Sequence, residues 1–95
     1  MPSLHIEHRI TDLATWTTAF SSFGEVRQRA GVRQEQVRHP IDDPSFVVID
    51  LEFDSIEQAD AFLGFLRSQV WAVPENSPAL VGAPRAKVLE SVELT

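Results

Sequence analysis

Ser45-Phe46-Val47-Val48-Ile49-Asp50-Leu51-Glu52-Phe53 runs straight into Asp54-Ser55-Ile56-Glu57-Gln58-Ala59. Val47, Ile49, Leu51 and Phe53 make one wholly apolar face at a period of two, the mark of a strand. The other face starts apolar with Phe46 and Val48 and ends acidic with Asp50 and Glu52. A run this apolar belongs in the middle of a sheet. Asp54 to Glu57 has the D-x-x-E spacing of a capping box, whose side chains satisfy free N–H groups at a helix start. Behind it Ile56, Ala59, Leu63, Leu66 and Val70 recur every three or four residues, and Phe62 and Phe65 widen that stripe.

Upstream, Ser3–Ile10 (SLHIEHRI) alternates again. Leu4, Ile6, His8 and Ile10 share one parity; His5, Glu7 and Arg9 share the other. Leu13, Trp16, Phe20 and Phe23 then line one helical face, with Thr11 or Asp12 as the cap. This helix is expected to run to Ala30, with Gly31 ending it and Arg27 and Arg29 at its negative pole. Gly24 is its one weak point. Val32–His39 is a polar strand suited to a sheet edge, stopped by Pro40 and the turn Ile41-Asp42-Asp43-Pro44. Pro74, Pro78, Gly82 and Pro84 predict a loop of about ten residues, and loops of that length are often functional. Ala86–Leu94 is the expected last strand.

The order is β-α-β-β-α-β, an α+β, ferredoxin-like unit. Right-handed crossovers place both helices on one face of a four-stranded antiparallel sheet, with the first and third strands central. The 95 residues make one domain, residues 1–95. The uncovered face carries His5, Glu7, Arg9, Phe46, Val48, Asp50 and Glu52, with either Leu89 or Val88 and Val92 from the last strand. That mixture suits an interface in a C2 homodimer. Charge is polarised in the same sense: residues 1–40 hold five arginines and four acids, residues 41–95 three basic groups and ten acids.

Composition excludes several function classes. There is no cysteine, so disulfides, thiol nucleophiles and thiolate metal sites are out. The net charge of −6 opposes a general nucleic-acid binder. No apolar run spans a membrane and MPSLHIEH has no secretory character, so a cytoplasmic protein is expected. No G-x-S-x-G, Walker or G-x-G-x-x-G motif occurs. His5 and His8 differ by three in a strand and face opposite sides, and no histidine–carboxylate set has ligand spacing, so no metal site is expected.

His8 is the leading candidate for chemistry. It lies on the helix-facing parity near Trp16, where an imidazole can polarise or deprotonate a phenol. The same position also fits a histidine simply bonded to Thr11 or Asp12. Trp16 and Phe20 are candidate cavity walls, or plain core. Trp71, beside the proline-rich loop, is a candidate lid contact. Arg38 and His39 end the second strand and suit a carboxylate or phenolate, or the protection of an edge by charge.

His8-Arg9-Ile10-Thr11-Asp12 followed by Trp16 and Phe20 resembles the H-x-V-x-D-x-x-x-W-x-x-x-F opening of small dimeric α+β barrel proteins, with Ile10 in the valine position. Arg29-Ala30-Gly31-Val32, Asp42-Asp43-Pro44, Val48–Asp54 leading into Ser55–Ala59, Ala61-Phe62-Leu63 and Val81-Gly82-Ala83-Pro84 continue it in order over nearly the whole chain. That superfamily includes the antibiotic-biosynthesis monooxygenases and tetracenomycin-type polyketide cyclases. The resemblance implies ferredoxin-like subunits paired sheet to sheet and a small aromatic ligand held between sheet and helices. It also implies cyclase- or monooxygenase-like chemistry without metal or flavin, so no cofactor is expected, although other members bind haem. The competing expectation is a non-catalytic interaction module that uses the sheet surface and edge.

Overall fold

The computed structural model describes residues 1–94. Strands β1 (Ser3–Ile10), β2 (Gln34–Arg38), β3 (Phe46–Glu52) and β4 (Leu80–Leu89) form one antiparallel sheet in the order β2-β3-β1-β4. The two most apolar strands are central, as their alternation requires. His5 faces Asp50 and His8 faces Val47 across the β1–β3 ladder. Helices α1 (Leu13–Ser22), α2 (Gly24–Ala30) and α3 (Ile56–Phe65) carry the crossovers.

The expected first helix is two helices. It breaks at Phe23, which leaves helical geometry (φ −99°, ψ 13°) one residue before Gly24. Asp12 caps α1 by accepting from the Thr15 N–H at 2.7 Å. Gly31 ends α2 in the left-handed conformation (φ 99°), with Gly31 N–H bonded to Gln28 O and Val32 N–H to Arg27 O, a Schellman closure. A Cβ at Gly31 would lie 2.7 Å from Gln58 Nε2, the end of a side chain that would have to shift, so the left-handed φ is what calls for glycine here.

The cap of α3 is shifted by one residue from the expected D-x-x-E box. Ser55 is the cap and accepts from Gln58 N–H, while Gln58 Oε1 accepts from Asp54 N–H. Asp54 is already engaged by Arg33, at 2.9 and 2.7 Å. After α3 the chain adds a π turn, Leu66–Val70, closed by Trp71 N–H to Leu66 O. A short 3₁₀ turn follows at Pro74–Asn76.

Strand β4 begins and ends earlier than its sequence suggests. Leu80 already pairs with Ile10, and the strand stops at Leu89, so Val92 and Leu94 lie beyond it and are exposed. Gly82 (φ 74°) and Pro84, which look like loop residues, sit in an irregularity where the register slips between Glu7 and Arg9. An edge strand tolerates this, because Pro84 needs no partner for a missing N–H there.

The core fills the space between sheet and helices: Leu4, Ile6, Val47, Leu51 and Phe53 from the sheet, and Ala59, Phe62 and Leu63 from α3. The opposite sheet face has no helix on it. There His5 Nδ1 lies 2.7 Å from Asp50, His5 Nε2 3.1 Å from Glu7, and Arg38 3.0 Å from Asp50. Arg9 bonds Asp43 and lies over the Phe46 ring. Among the described residues no helix is long and apolar enough to cross a membrane.

Leu51 is 1% and Leu63 8% exposed. Leu51→Ala and Leu63→Ala are each expected to destabilise by about 2–5 kcal/mol in urea titration, through lost burial and cavity formation. A near-neutral result at either would contradict this packing. The carboxylates of Asp50 and then Glu7 raise the His5 pKa above its ordinary value. A histidine that holds its proton more tightly when folded stabilises fully below its unfolded pKa of about 6.5, and the contribution fades as pH rises through the folded value. His5→Asn should therefore cost more stability at about pH 6 than at about pH 9. Equal losses at both would show that the cluster contributes nothing.

Candidate functional site

The helical side of the sheet is not completely filled. A cavity of about 70 Å³, partly open to solvent, lies between the sheet, α1, α2, α3 and the chain that follows α3. Its walls are mainly apolar, and His8 and Arg27 are the charged or titratable side chains lining it. Ala19, Phe23 and Asn76 line both this cavity and an outer groove between α1 and the Pro74–Asn76 turn.

Strand parity brings His8 here. It is 6% exposed, and its ring centroid lies 6.4 Å from that of Trp16, one helical turn into α1. His8 Nδ1 lies 3.0 Å from the Arg9 carbonyl, and neither Thr11 nor Asp12 holds the ring. A carbonyl only accepts, so Nδ1 carries the proton and Nε2 keeps its lone pair. No fully sealed side-chain nitrogen or oxygen among the described residues lacks a hydrogen-bond partner, and Nε2 has none from the protein. Nε2 is therefore not sealed off, and the ring it belongs to lines the cavity. Burial lowers the His8 pKa, and the Arg9 carbonyl opposes this only in part. The ring is neutral at neutral pH and presents a base.

Trp16 stacks on Phe20 with centroids 4.7 Å apart and planes 22° apart. Phe20 in turn lies under the Arg27 guanidinium, whose Cζ is 3.6 Å from the ring centroid. One wall is thus a ladder from His8 through Trp16 and Phe20 to Arg27. Trp71 forms part of another wall, brought there by the π turn. The Asn76 side-chain amide donates to Gln69 O at 2.7 Å and ties the 3₁₀ turn to the π turn.

Of the six residues singled out from sequence, His8, Trp16, Phe20 and Trp71 line this cavity. Arg38 does not. Its partner in the β2–β3 ladder is Val48, so it sits on the uncovered face, paired with Asp50. The alternation of Val37 and Arg38 carries that signal. His39 is exposed and bonds the Pro40 carbonyl.

Arg27 is the residue that sequence reasoning missed as a site residue. It reads as a helix-end cation, yet it is 6% exposed and turns inward. Its Nε donates to Glu35 Oε2 at 2.6 Å, and its Nη1 donates to Phe20 O at 2.6 Å. The helix break at Phe23 leaves that carbonyl facing the guanidinium. Only the helix break, hinted at by Gly24, separates this geometry from that of a solvated end-of-helix arginine.

No protein-family model matches the chain, and no curated protein is recognisably similar to it in sequence. Solved structures are similar in fold. A structure described as an antibiotic biosynthesis monooxygenase superposes with a TM-score of 0.72 at 11% identity, over 98% of this chain and 100% of the other. The monooxygenase from the gene ActVA-Orf6 of Streptomyces coelicolor, solved with the ligand nanaomycin D, gives 0.63 at 18% identity, over 99% and 89%. A dimeric ferredoxin-like protein from an uncultured marine organism gives 0.61 at 11%, over 100% and 98%. Identities this low carry the architecture and not the reaction. The chain has the ferredoxin-like α+β fold that these solved structures share.

Proposed function

We propose that the protein is a homodimer joined through its uncovered sheet faces, and that each subunit binds or transforms a small aromatic molecule in its cavity. In the catalytic form of this reading the chemistry is of the cyclase or monooxygenase kind. His8 Nε2 takes the proton of a phenolic hydroxyl, leaving a phenolate beside the imidazolium. Trp16, Phe20 and Trp71 hold the ring by stacking and burial.

The observation that carries this reading is a neutral imidazole, tied through Nδ1 to Arg9, whose ring lines unfilled apolar space and whose other nitrogen is not sealed off. Had the aromatic side chains filled that space, a pure interaction module would be the better reading. The size of the cavity limits the ligand. A single aromatic ring needs about 150 Å³ of enclosed space, about twice what is present here. A bound ring therefore reaches into the groove between α1 and Asn76 or displaces a wall such as Trp71.

Three facts support the dimer. The uncovered face carries Arg9, Arg38, Arg85 and Lys87 against Glu7, Asp50 and Glu52, so it is nearly neutral in a chain of net charge −6. Phe46 and Val48 lie among these charges. One fold neighbour is described as dimeric. Light scattering at micromolar concentration should give about twice the 10.6 kDa chain mass; a clean monomer would remove the dimer from this proposal.

The ligand reading is tested with phenol, followed through the tryptophan indole N–H resonances. Protonated His8 can no longer accept at Nε2, so phenol binding should weaken as pH falls through the lowered His8 pKa, below about 6.5. His8→Asn should bind phenol with no such step and keep its assembly state, because the change lies on the opposite side of the sheet. Affinity that is flat across this range in the unsubstituted protein would remove His8 from the site. No binding at all would turn the assignment toward the interaction module.

A further inference from the structure

The cavity contains a positive charge that is already balanced. Arg27 is held by Glu35 through Nε at 2.6 Å and through Nη2 at 3.4 Å, and its Nη1 donates to the Phe20 carbonyl. A guanidinium has five N–H donors, so two remain without a protein acceptor among the described residues. The Arg27 side chain is 7% exposed and lines the cavity, whereas that of Glu35 is 43% exposed on the edge strand. Glu35 thus neutralises the guanidinium from its more exposed side, while Arg27 lines the cavity with two N–H donors unused.

We propose that the Arg27–Glu35 pair makes the cavity selective for uncharged aromatic carbonyl compounds over aromatic carboxylates, with an Arg27 N–H donating to the carbonyl oxygen. A buried acceptor that meets a charged donor gains a strong hydrogen bond. A carboxylate gains the same bond, but it brings a second negative charge to a cation that Glu35 already satisfies, in surroundings too apolar to solvate it. The Phe20 ring, stacked on Trp16, packs against the guanidinium with its centroid 3.6 Å from Arg27 Cζ and so restrains it beside the aromatic wall. With His8 Nε2 as acceptor at one end and Arg27 as donor at the other, the site has a direction. The inference rests on the reading of this cavity as a ligand site.

The test uses three single-ring probes of similar size: ethylbenzene, acetophenone and benzoate. Their binding is followed by amide chemical-shift titration of the protein near neutral pH. Acetophenone should bind about tenfold more tightly than ethylbenzene, the scale of one charge-assisted hydrogen bond, and benzoate should bind more weakly than acetophenone. Glu35→Gln keeps the shape of the pair, lies at a half-exposed position, and leaves the guanidinium uncompensated. In that variant benzoate should overtake acetophenone.

Equal binding of ethylbenzene and acetophenone would overturn the role of Arg27 while leaving the cavity a ligand site. Benzoate preferred by the unsubstituted protein would overturn the selectivity and would make Arg27 an anion anchor instead. Benzoate binding unchanged in Glu35→Gln would overturn the role of Glu35. If none of the three probes binds, the ligand reading of the cavity fails, and this inference fails with it.

Discussion

A guanidinium taken out of water must be given partners, and the helical side of this domain is arranged around that requirement. Arg27 meets it with the Glu35 carboxylate on β2 and the Phe20 carbonyl at the end of α1. One side chain therefore joins both halves of the broken helix to an edge strand of only five residues, Gln34–Arg38, which has little core of its own. The aromatic ladder is set on the same group, because Phe20 lies against the guanidinium and Trp16 lies against Phe20. The pair is buried only on the arginine side, with the Glu35 side chain 43% exposed, so solvent screens it and its net contribution to stability is small. Its contribution here is geometric: it holds a wall in place beside empty space.

That space exists because the apolar stripes do not mesh completely. At the end of the sheet where β1 begins, Leu4, Leu51 and Phe53 belong to one buried core with Ala59, Phe62 and Leu63. Toward the end where β1 feeds α1, the facing groups are His8, Ala19 and Phe20, and Ala19 is too small to fill the gap. The π turn after α3 adds a residue to the helical repeat and brings Val70 and Trp71 round to the cavity, and π turns of this sort recur at functional sites. The fold thus sets a closely packed core beside a partly open cavity, and Leu51 and Phe62 belong to both.

Where periodicity was strong and local, the sequence was sufficient to assign the architecture. The alternation in Leu4-Ile6-His8-Ile10 and Val47-Ile49-Leu51-Phe53 placed β1 and β3 at the centre and turned His8 inward, and the helical spacing of Trp16 and Phe20 turned them toward it. The misses occurred where a local signal had two solutions. Asp54–Glu57 and Ser55–Gln58 both have capping spacing, and only the pull of Arg33 on Asp54 decides between them. Gly82 and Pro84 argue for a loop unless the strand lies at an edge with an irregular register, and strand order is not a local property. Arg27 has the same sequence environment whether it is solvated at a helix end or buried. Its inward turn depends on the break at Phe23, and that depends on tertiary packing.

The irregularity in β4 has a consequence for how copies of this chain can meet. A regular outer strand would offer a row of unpaired N–H and C=O groups on which another strand could add, and then another, without limit. Here the stretch around Gly82 and Pro84 interrupts that row, and Pro84 has no N–H to offer. The opposite rim, β2, is short and carries Glu35 and Arg38. With both rims blunted, strand-by-strand growth into a fibre meets no regular template.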